Sequence, residues 1–509
     1  MSPVRDPRAP CLIGVGRKTW HPADTGPEGA PEPLVMWEEV ARAAADDAGA
    51  PGALTDLDGL RVVYCQSWDY DDPAGRLAER LGAEPADSLY TGIGGSVPQV
   101  MLSELAGSVR RDGLDLALVV GAEALATVRR IKKAGEKPQW SYKPEQRRPF
   151  PFEAPFHPAE VAHSVFQAFL TFAVFDNALR GHLGIELDEH RSRLGRLMAP
   201  MTDIAAADPV NAWFPIARMP DELSTATDDN RMVAYPYTKL MISIMDVDMA
   251  AAVLLASDAK ADELGVPLDR RVYLRGWGYA QDPHYVAERR QLWRSPAMGV
   301  ASRAALAGAG VGIDDVAHLD LYSCFASSLN FAADALGLDR DAVTAGKRPL
   351  TVTGGLPYHG GPGSNYMTHA VAAMVERLRE NPGAYGLTSG VGMHMTKHAY
   401  GLWSSSPGAV TPPDPDALAR ELAADLEVVP ITDVVDQDGV DATVAAYTVL
   451  HGRDGAPEWG VLVCDLPDRS RCYARLEGAD ALAEAERQEL VGRTVHLAPT
   501  EGGVNQAQL

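Results

Sequence analysis

The chain has 509 residues, a formal net charge of −23 and 46% apolar side chains. An acidic balance of that size argues against nucleic acid or an anionic membrane as partner, and no apolar run reaches the ~18 residues of a membrane span. Five scattered cysteines (Cys11, Cys65, Cys324, Cys464, Cys472) without C-x-x-C spacing, behind an N-terminus with no secretory pattern, predict a reduced, cytoplasmic protein without a metal site.

In chain order, residues 11–16 (CLIGVG) read as a strand. Residues 36–48 read as an amphipathic helix, with Trp37, Val40, Ala41 and Ala44 at helical spacing. Residues 60–65 (LRVVYC) are a second strand. TGIGGS at 91–96 opens a helix to about residue 111, with Ser96 as its N-cap, Pro98 early and Gln99 at the third position. Residues 114–122 (LDLALVVGA) are apolar nearly throughout, as in sheets buried on both faces. Strands alternating with helices imply a mainly parallel sheet covered on both sides.

Residues 125–245, rich in Trp, Tyr, Pro and His, break that rhythm and read as an inserted cap. The apolar window 165–174 within it predicts a buried helix. The cap begins with a basic run, 129–148, holding eight Lys or Arg against two Glu. Arg129, Lys132 and Lys133 in that run are candidate anchors for phosphate groups through charge-assisted hydrogen bonds.

The strand–helix series returns at 249–257. It continues through strand 271–277, helix 297–309 and strand 318–321, which runs into Tyr322-Ser323-Cys324-Phe325 and a helix over 326–336. The series thus occurs twice, a pseudo-repeat of architecture rather than of letters. Residues 350–366 (LTVTGGLPYHGGPGSNY) then put a β-rich run, two glycine clusters and a helix start in series. Backbone N–H groups in such a place can face a ligand, and His359 adds an imidazole suited to proton transfer near neutral pH. Residues 385–392 (YGLTSGVG) and 398–404 read as strands about a glycine turn. A Pro-rich link, 406–415, marks a boundary. Beyond it, strands over 441–450, 458–465 and 471–476 predict a small antiparallel barrel of the oligonucleotide/oligosaccharide-binding (OB) type. The domains so drawn are 1–124 with 246–258, the cap 125–245, a second half 259–405, the link 406–415 and the barrel 416–509.

Four of these pieces, in order, resemble the thiolase superfamily: TGIGGSVPQV (91–100), DLYSCFASS (320–328), TGGLPYHGGPGSN (353–365) and GLTSGVG (386–392). The resemblance covers about residues 8–405. Its nearest form is the actinobacterial thiolase-like protein type 1 group, often labelled acetyl-CoA acetyltransferase, which shares the TVTGGLP…GGPG…Y phrase and an added C-terminal barrel. The resemblance implies an α/β, five-layer αβαβα thiolase fold with an inserted cap and an OB-like barrel. It also implies a coenzyme A (CoA) thioester as ligand or substrate without a tightly bound cofactor. A monomer or homodimer is expected, with the barrel as a surface on which a partner docks.

The departures from the family pattern shape the functional expectation. Aligned on Ser96, Gly94 falls where the family carries its nucleophilic cysteine. Tyr322 and Ser323 replace an Asn-Glu or His-Asp pair. Gly361 falls at the loop histidine, with His359 two residues earlier, and no cysteine stands near Thr388 and Ser389. Thiolase chemistry uses one thiolate for acyl transfer and a second thiol for proton transfer. Tyr322 matches the tyrosine that opens the corresponding segment of steroid side-chain retro-aldolases, which resemble thiolases. The expectation is an acyl-transfer or carbon–carbon bond reaction without a cysteine nucleophile. Tyr322 and His359 would be acid and base, and Gly94, Gly95, Cys324, Gly361 and Gly392 oxyanion and substrate positions. Arg129, Lys132 and Lys133 would anchor CoA, while His394 and His398 read as structural. The alternative is a catalytically inactive CoA-binding or partner-binding module.

Overall fold

The computed structural model describes residues 5–26, 28–146 and 155–509. Its strands, in chain order, are β1 (Pro10–Thr19), β2 (Gly59–Val62), β3 (Asp87–Tyr90), β4 (Leu116–Ala124), β5 (Met232–Ala234), β6 (Tyr237–Thr238), β7 (Asp248–Ser257) and β8 (Val272–Gln281). They continue with β9 (Val316–Asp320), β10 (Tyr385–Gly392), β11 (Lys397–Ser404), β12 (Val440–His451), β13 (Pro457–Asp465), β14 (Arg471–Leu476), β15 (Thr494–Thr500) and β16 (Val504–Gln508).

Nine strands make one sheet in the order β3-β2-β4-β7-β1-β8-β11-β10-β9. Every residue of β4 and β7 is buried, as their unbroken apolar runs require. The sheet is mixed rather than mainly parallel. Only β2–β3, β2–β4 and β9–β10 run parallel. The other neighbours are antiparallel, because the cap returns the chain into β7 against β4 and a tight turn folds β11 onto β10. β1 and β8 meet at only two residue pairs, Cys11 with Tyr273 and Leu12 with Val272, so the sheet divides into two halves there. The helices Val97–Arg110 and Tyr366–Glu380 touch strands of both halves and form the middle layer. Pro33–Asp47 covers the first half and Pro296–Ala309 the second. The pseudo-repeat reaches atomic detail. A Cβ on Gly14 of β1 would strike the Ala44 carbonyl of one outer helix, and one on Gly278 of β8 the Ala301 carbonyl of the other. Only glycine lets helix and strand approach so closely.

Residues 350–353 are not a strand. Their backbone serves Asp320 instead: the Val352 and Thr353 N–H groups donate to its carboxylate at 3.0 and 3.3 Å, joined by the hydroxyls of Thr351 (2.7 Å), Thr353 (3.1 Å) and Tyr366 (2.9 Å). A buried carboxylate needs such donors.

β12, β13, β14, β16 and β15 close into a five-stranded barrel. Its β14–β16 contact is parallel, the others antiparallel. β15 and β16 lie beyond the three strands legible in the sequence. The cap adds β5 to the barrel wall through Ala234 and Leu450. The buried Arg180 of the cap helix Ala168–Leu183 forks onto Glu489. Barrel residues Ala446, Val461, Val463 and Tyr473 share one apolar core with Phe172 and Phe175. Residues 407–414 carry no helix or strand. We propose them as the boundary of the 416–509 unit. Proteolysis there is expected to leave a nicked complex that coelutes on size exclusion, because the core is shared. Two separately eluting fragments would refute that expectation. Among the described residues, no helix is long and apolar enough to cross a membrane.

Candidate functional site

Four segments converge where the middle-layer helices begin: the loops 91–96, 321–325 and 353–365, and the end of β10 with its turn into β11, 388–397. Tyr322 follows the carboxyl end of β9, the end at which ligands of α/β sheets collect. Its N–H donates to Ser389 Oγ at 2.9 Å, and Ser328 Oγ donates to its carbonyl at 2.7 Å, which fixes the backbone. Its ring stands edge-on to Tyr366, centroids 5.7 Å apart. The phenol is directed at Gly95. A Cβ there would collide with the Tyr322 hydroxyl and come within 2.5 Å of the Val391 carbonyl oxygen. The tyrosine hydroxyl thus lies beside the helix start, where a side chain at position 95 would stand. Burial pushes the Tyr322 phenol well above its ordinary range, so it stays protonated and can donate a hydrogen bond.

Gly94 has φ 151° and donates its N–H to Ser364 Oγ at 3.0 Å. A Cβ there would meet only Val97 Cγ2, at 3.4 Å, an ordinary contact. Ser96 precedes the helix without capping it: its hydroxyl makes no cap bond, and its own φ and ψ are helical. Ser96 Oγ packs on Gly392 instead, where a Cβ would come within 2.9 Å of it. Gln99 likewise serves Thr388, accepting from its hydroxyl at 3.0 Å, and forms no capping box.

His359 is fully buried. Its carbonyl accepts from the Trp213 N–H at 2.8 Å, and its Nε2 lies 3.4 Å from His369 Nδ1. Burial, with the Arg17 charge nearby, pushes its imidazole down to about 3, so it is neutral at physiological pH. Its ring meets the edge of Tyr366 at 6.2 Å. Tyr322 and His359 therefore both pack on Tyr366, and among the described residues no hydrogen bond joins them. The Gly361 N–H is engaged by the Ile244 carbonyl at 3.1 Å, because the segment by which the cap returns to β7 lies across this loop. That contact uses the donor expected to polarise a substrate. Cys324 is half-buried, its thiol pushed up to about 12 by burial. Arg129 is ion-paired with Asp246, whereas Lys132 and Lys133 are exposed on the helix Leu125–Lys133. Arg147 and Arg148, the end of the basic run, lie outside the described residues. His394 Nδ1 lies 2.8 Å from Thr171 Oγ1, and His398 Nε2 lies 3.0 Å from the buried Asp282.

Sequence reasoning missed Glu123. It accepts from the N–H groups of Gln66 (2.8 Å) and Ser67 (3.0 Å) and lies against Gly363. Burial pushes its carboxyl up to about 7. The signal was a single carboxylate in an otherwise apolar strand. Away from these loops, a groove of about 1180 Å³ runs between Val97–Arg110, β8 and the helix Pro415–Asp425, with Trp277, Tyr279 and Leu422 on its walls and Arg111 at its rim. Among the described residues no three His, Cys, Asp or Glu side chains gather as a metal site requires.

Residues 421–502 match the family model for the thiolase-like protein type 1 additional C-terminal domain. Over 153 residues the chain is 31% identical to the 3-ketoacyl-CoA thiolase of Pectobacterium atrosepticum, covering 28% of this chain and 33% of that protein. The chain thus spans about a third of the length of the curated relatives it matches. Among solved structures, a monomeric SCP2-thiolase-like protein type 1 from Mycobacterium smegmatis superimposes with a TM-score of 0.84 at 30% identity, over 99% of this chain and 100% of that one. The Ltp2-ChsH2(DUF35) aldolase superimposes with a TM-score of 0.60 at 16% identity, over 78% and 98%, a likeness of fold.

Proposed function

The chain belongs to the SCP2-thiolase-like protein type 1 family, and from that premise we propose that it binds a CoA thioester at the convergent loops and acts on it without a covalent acyl-enzyme. The observation that carries this reading is the Tyr322 hydroxyl lodged beside Gly95 and the Val391 carbonyl. In the proposed reaction, acyl transfer or aldol-type carbon–carbon cleavage, the phenol donates to the substrate carbonyl oxygen. Charge developing there is stabilised by a fixed donor in a dry site. The relatives named thiolase and aldolase support that range of chemistry. His359, enclosed and neutral, supports the Tyr366 ring against which Tyr322 is set. The DUF35 component in the name of the aldolase relative favours a partner for this chain too, docked on the barrel.

Tyr322→Phe tests the reading. Turnover of 3-ketoacyl-CoA or 3-hydroxyacyl-CoA thioesters is expected to fall 10²- to 10⁴-fold, the usual worth of a positioned acid, while CoA affinity by calorimetry stays within threefold. Because the phenol stays protonated, the wild-type rate should show no alkaline limb from it below pH 9. Equal turnover of the variant and wild type would sink the assignment. The half-enclosed glycine at position 94 and the sealed His359 favour a second reading, a non-catalytic CoA-binding module. CoA binding with no turnover of either thioester class selects it.

Lys132 and Lys133 are proposed to meet the CoA phosphates. Lys132→Glu with Lys133→Glu is expected to weaken CoA binding at least tenfold in low salt, and the deficit should shrink as salt is added. Unaltered affinity would move the anion site elsewhere.

A further inference from the structure

The loop between β10 and β11 holds two strained residues. Met393 and Met395 have φ values of 57° and 52°, the left-handed region, although neither is glycine. Such a conformation persists only where the surroundings impose it. Against this turn lies one buried cation. Arg289 donates to the Met395 carbonyl at 2.7 Å, to the His394 carbonyl at 2.8 Å and to Thr396 Oγ1 at 2.8 Å. Its guanidinium lies over the Phe175 ring, 4.9 Å from the centroid. A planar fork that serves three acceptors of one turn fixes that turn more tightly than a point charge could.

Arg289 is itself held from the barrel. Arg471 of β14 donates to the carbonyls of Ala287 (3.5 Å), Arg289 and Arg290 (2.9 Å). Tyr473 Oη accepts from the Ala287 N–H at 3.1 Å and donates to Glu160 at 2.9 Å. The Val429 N–H, at the entry to the barrel, donates to the Glu288 carbonyl at 2.8 Å. One continuous chain of contacts therefore runs from barrel to strap 286–290, from strap to Arg289, and from Arg289 to the turn 393–396. That turn continues Val391 and Gly392, the wall that faces Tyr322 and Ser96.

We propose that the C-terminal barrel is a brace for the wall of the site, and that Arg289 is the positioning residue through which it acts. The proposal rests on the reading of residues 391–396 as one side of a thioester site. A domain appended after the catalytic scaffold thereby gains a task inside it: to hold open a turn that its own sequence does not favour.

The test uses the full chain with Arg289→Gln, Arg289→Lys and Arg471→Gln, followed by amide hydrogen exchange and by acetyl-CoA calorimetry. In Arg289→Gln and Arg471→Gln, exchange in the peptide covering 393–396 is expected to rise at least tenfold, while ladder amides of β4 and β7 keep their wild-type rates. Acetyl-CoA affinity should fall at least tenfold in step. Arg289→Lys should recover part of both. If Arg289→Gln does not fold, Arg289→Lys and Arg471→Gln carry the comparison. Unchanged exchange at 393–396 in the variants that fold, or a rise spread evenly over the chain, overturns the brace. A wild-type protein that binds no acetyl-CoA would instead defeat the thioester reading, and the exchange data would still decide the brace.

Discussion

Gly95→Ala is expected to abolish thioester binding and to destabilise the chain by about 3 kcal/mol or more, the upper end of what overpacking costs. The new methyl group would enter space already filled from two sides. One side is the Tyr322 hydroxyl and ring, the other the Val391 carbonyl oxygen, 2.5 Å away. A flexible side chain could rotate out of the way, but Tyr322 is pinned through its own N–H to Ser389 and its ring to Tyr366. Val391 cannot retreat either, because it lies in the β10–β11 ladder opposite His398. The helix start cannot rise, because Ser96 already abuts Gly390 and Gly392. Gly92→Ala is the control: that glycine is exposed, with nothing within 4 Å of a new Cβ, so its change should stay within about 0.5 kcal/mol. Urea midpoints and acetyl-CoA calorimetry on the two variants make the comparison. An alanine tolerated equally at both positions would mean that Tyr322 is not lodged against the loop, and the proposed donor would lose its place.

The contrast between fold and site follows from the range of the interactions involved. β4 and β7 were legible because a strand buried on both faces must be apolar at every position, a local rule. The helices Val97–Arg110 and Tyr366–Glu380 were legible from period and glycine context. The stretch 350–353 misled, since its β-branched residues satisfy Asp320 rather than a neighbouring strand, and that carboxylate is 31 to 33 positions away. Ser96 misled for a similar reason. Its cap signature was sound, but Gly392 offered its hydroxyl a different seat. The direction of β7 was invisible because it depends on where a cap of more than 100 residues returns the chain. At the site, Tyr322 could be singled out by resemblance, yet its partner Gly95 is 227 positions earlier (322 − 95) and only the fold brings the two together. Gly361 shows the limit most plainly. A glycine loop advertises free N–H groups, and whether one is free depends on a cap residue, here Ile244, that no local pattern points to.

No cysteine of the wild-type chain is expected to carry an acyl group from acetyl-CoA. A thiol must ionise to attack a thioester. Burial holds all five in the protonated form: Cys324 and Cys472 are pushed up to about 12, and Cys11, Cys65 and Cys464 are raised well above the ordinary thiol range. At neutral pH a thiol with a pKa of about 12 is ionised on the order of once in 10⁵ molecules. Cys324, in the loop 321–325, also precedes a helix, Ala326–Ala335, but burial keeps its thiol protonated against Ser328. Position 94 differs. It stands just before the helix Val97–Arg110, whose N-terminal field favours an anion, and a Cβ there has room. The obstacle is the backbone, since φ 151° is rarely adopted by an L-residue and costs about 1–3 kcal/mol. Gly94→Cys should therefore be less stable than wild type yet gain one acetyl group on the introduced thiol when incubated with acetyl-CoA. Intact-protein mass spectrometry with peptide mapping reads both halves of the prediction, and a thiolysis assay with acetoacetyl-CoA and CoA sets the rate scale. Wild-type protein that forms an acyl-cysteine and cleaves acetoacetyl-CoA at ~1 s⁻¹ or faster, an ordinary enzymatic rate, would refute the non-covalent reading. A Gly94→Cys variant that folds and stays unmodified would show that this helix start no longer presents a side chain to the thioester.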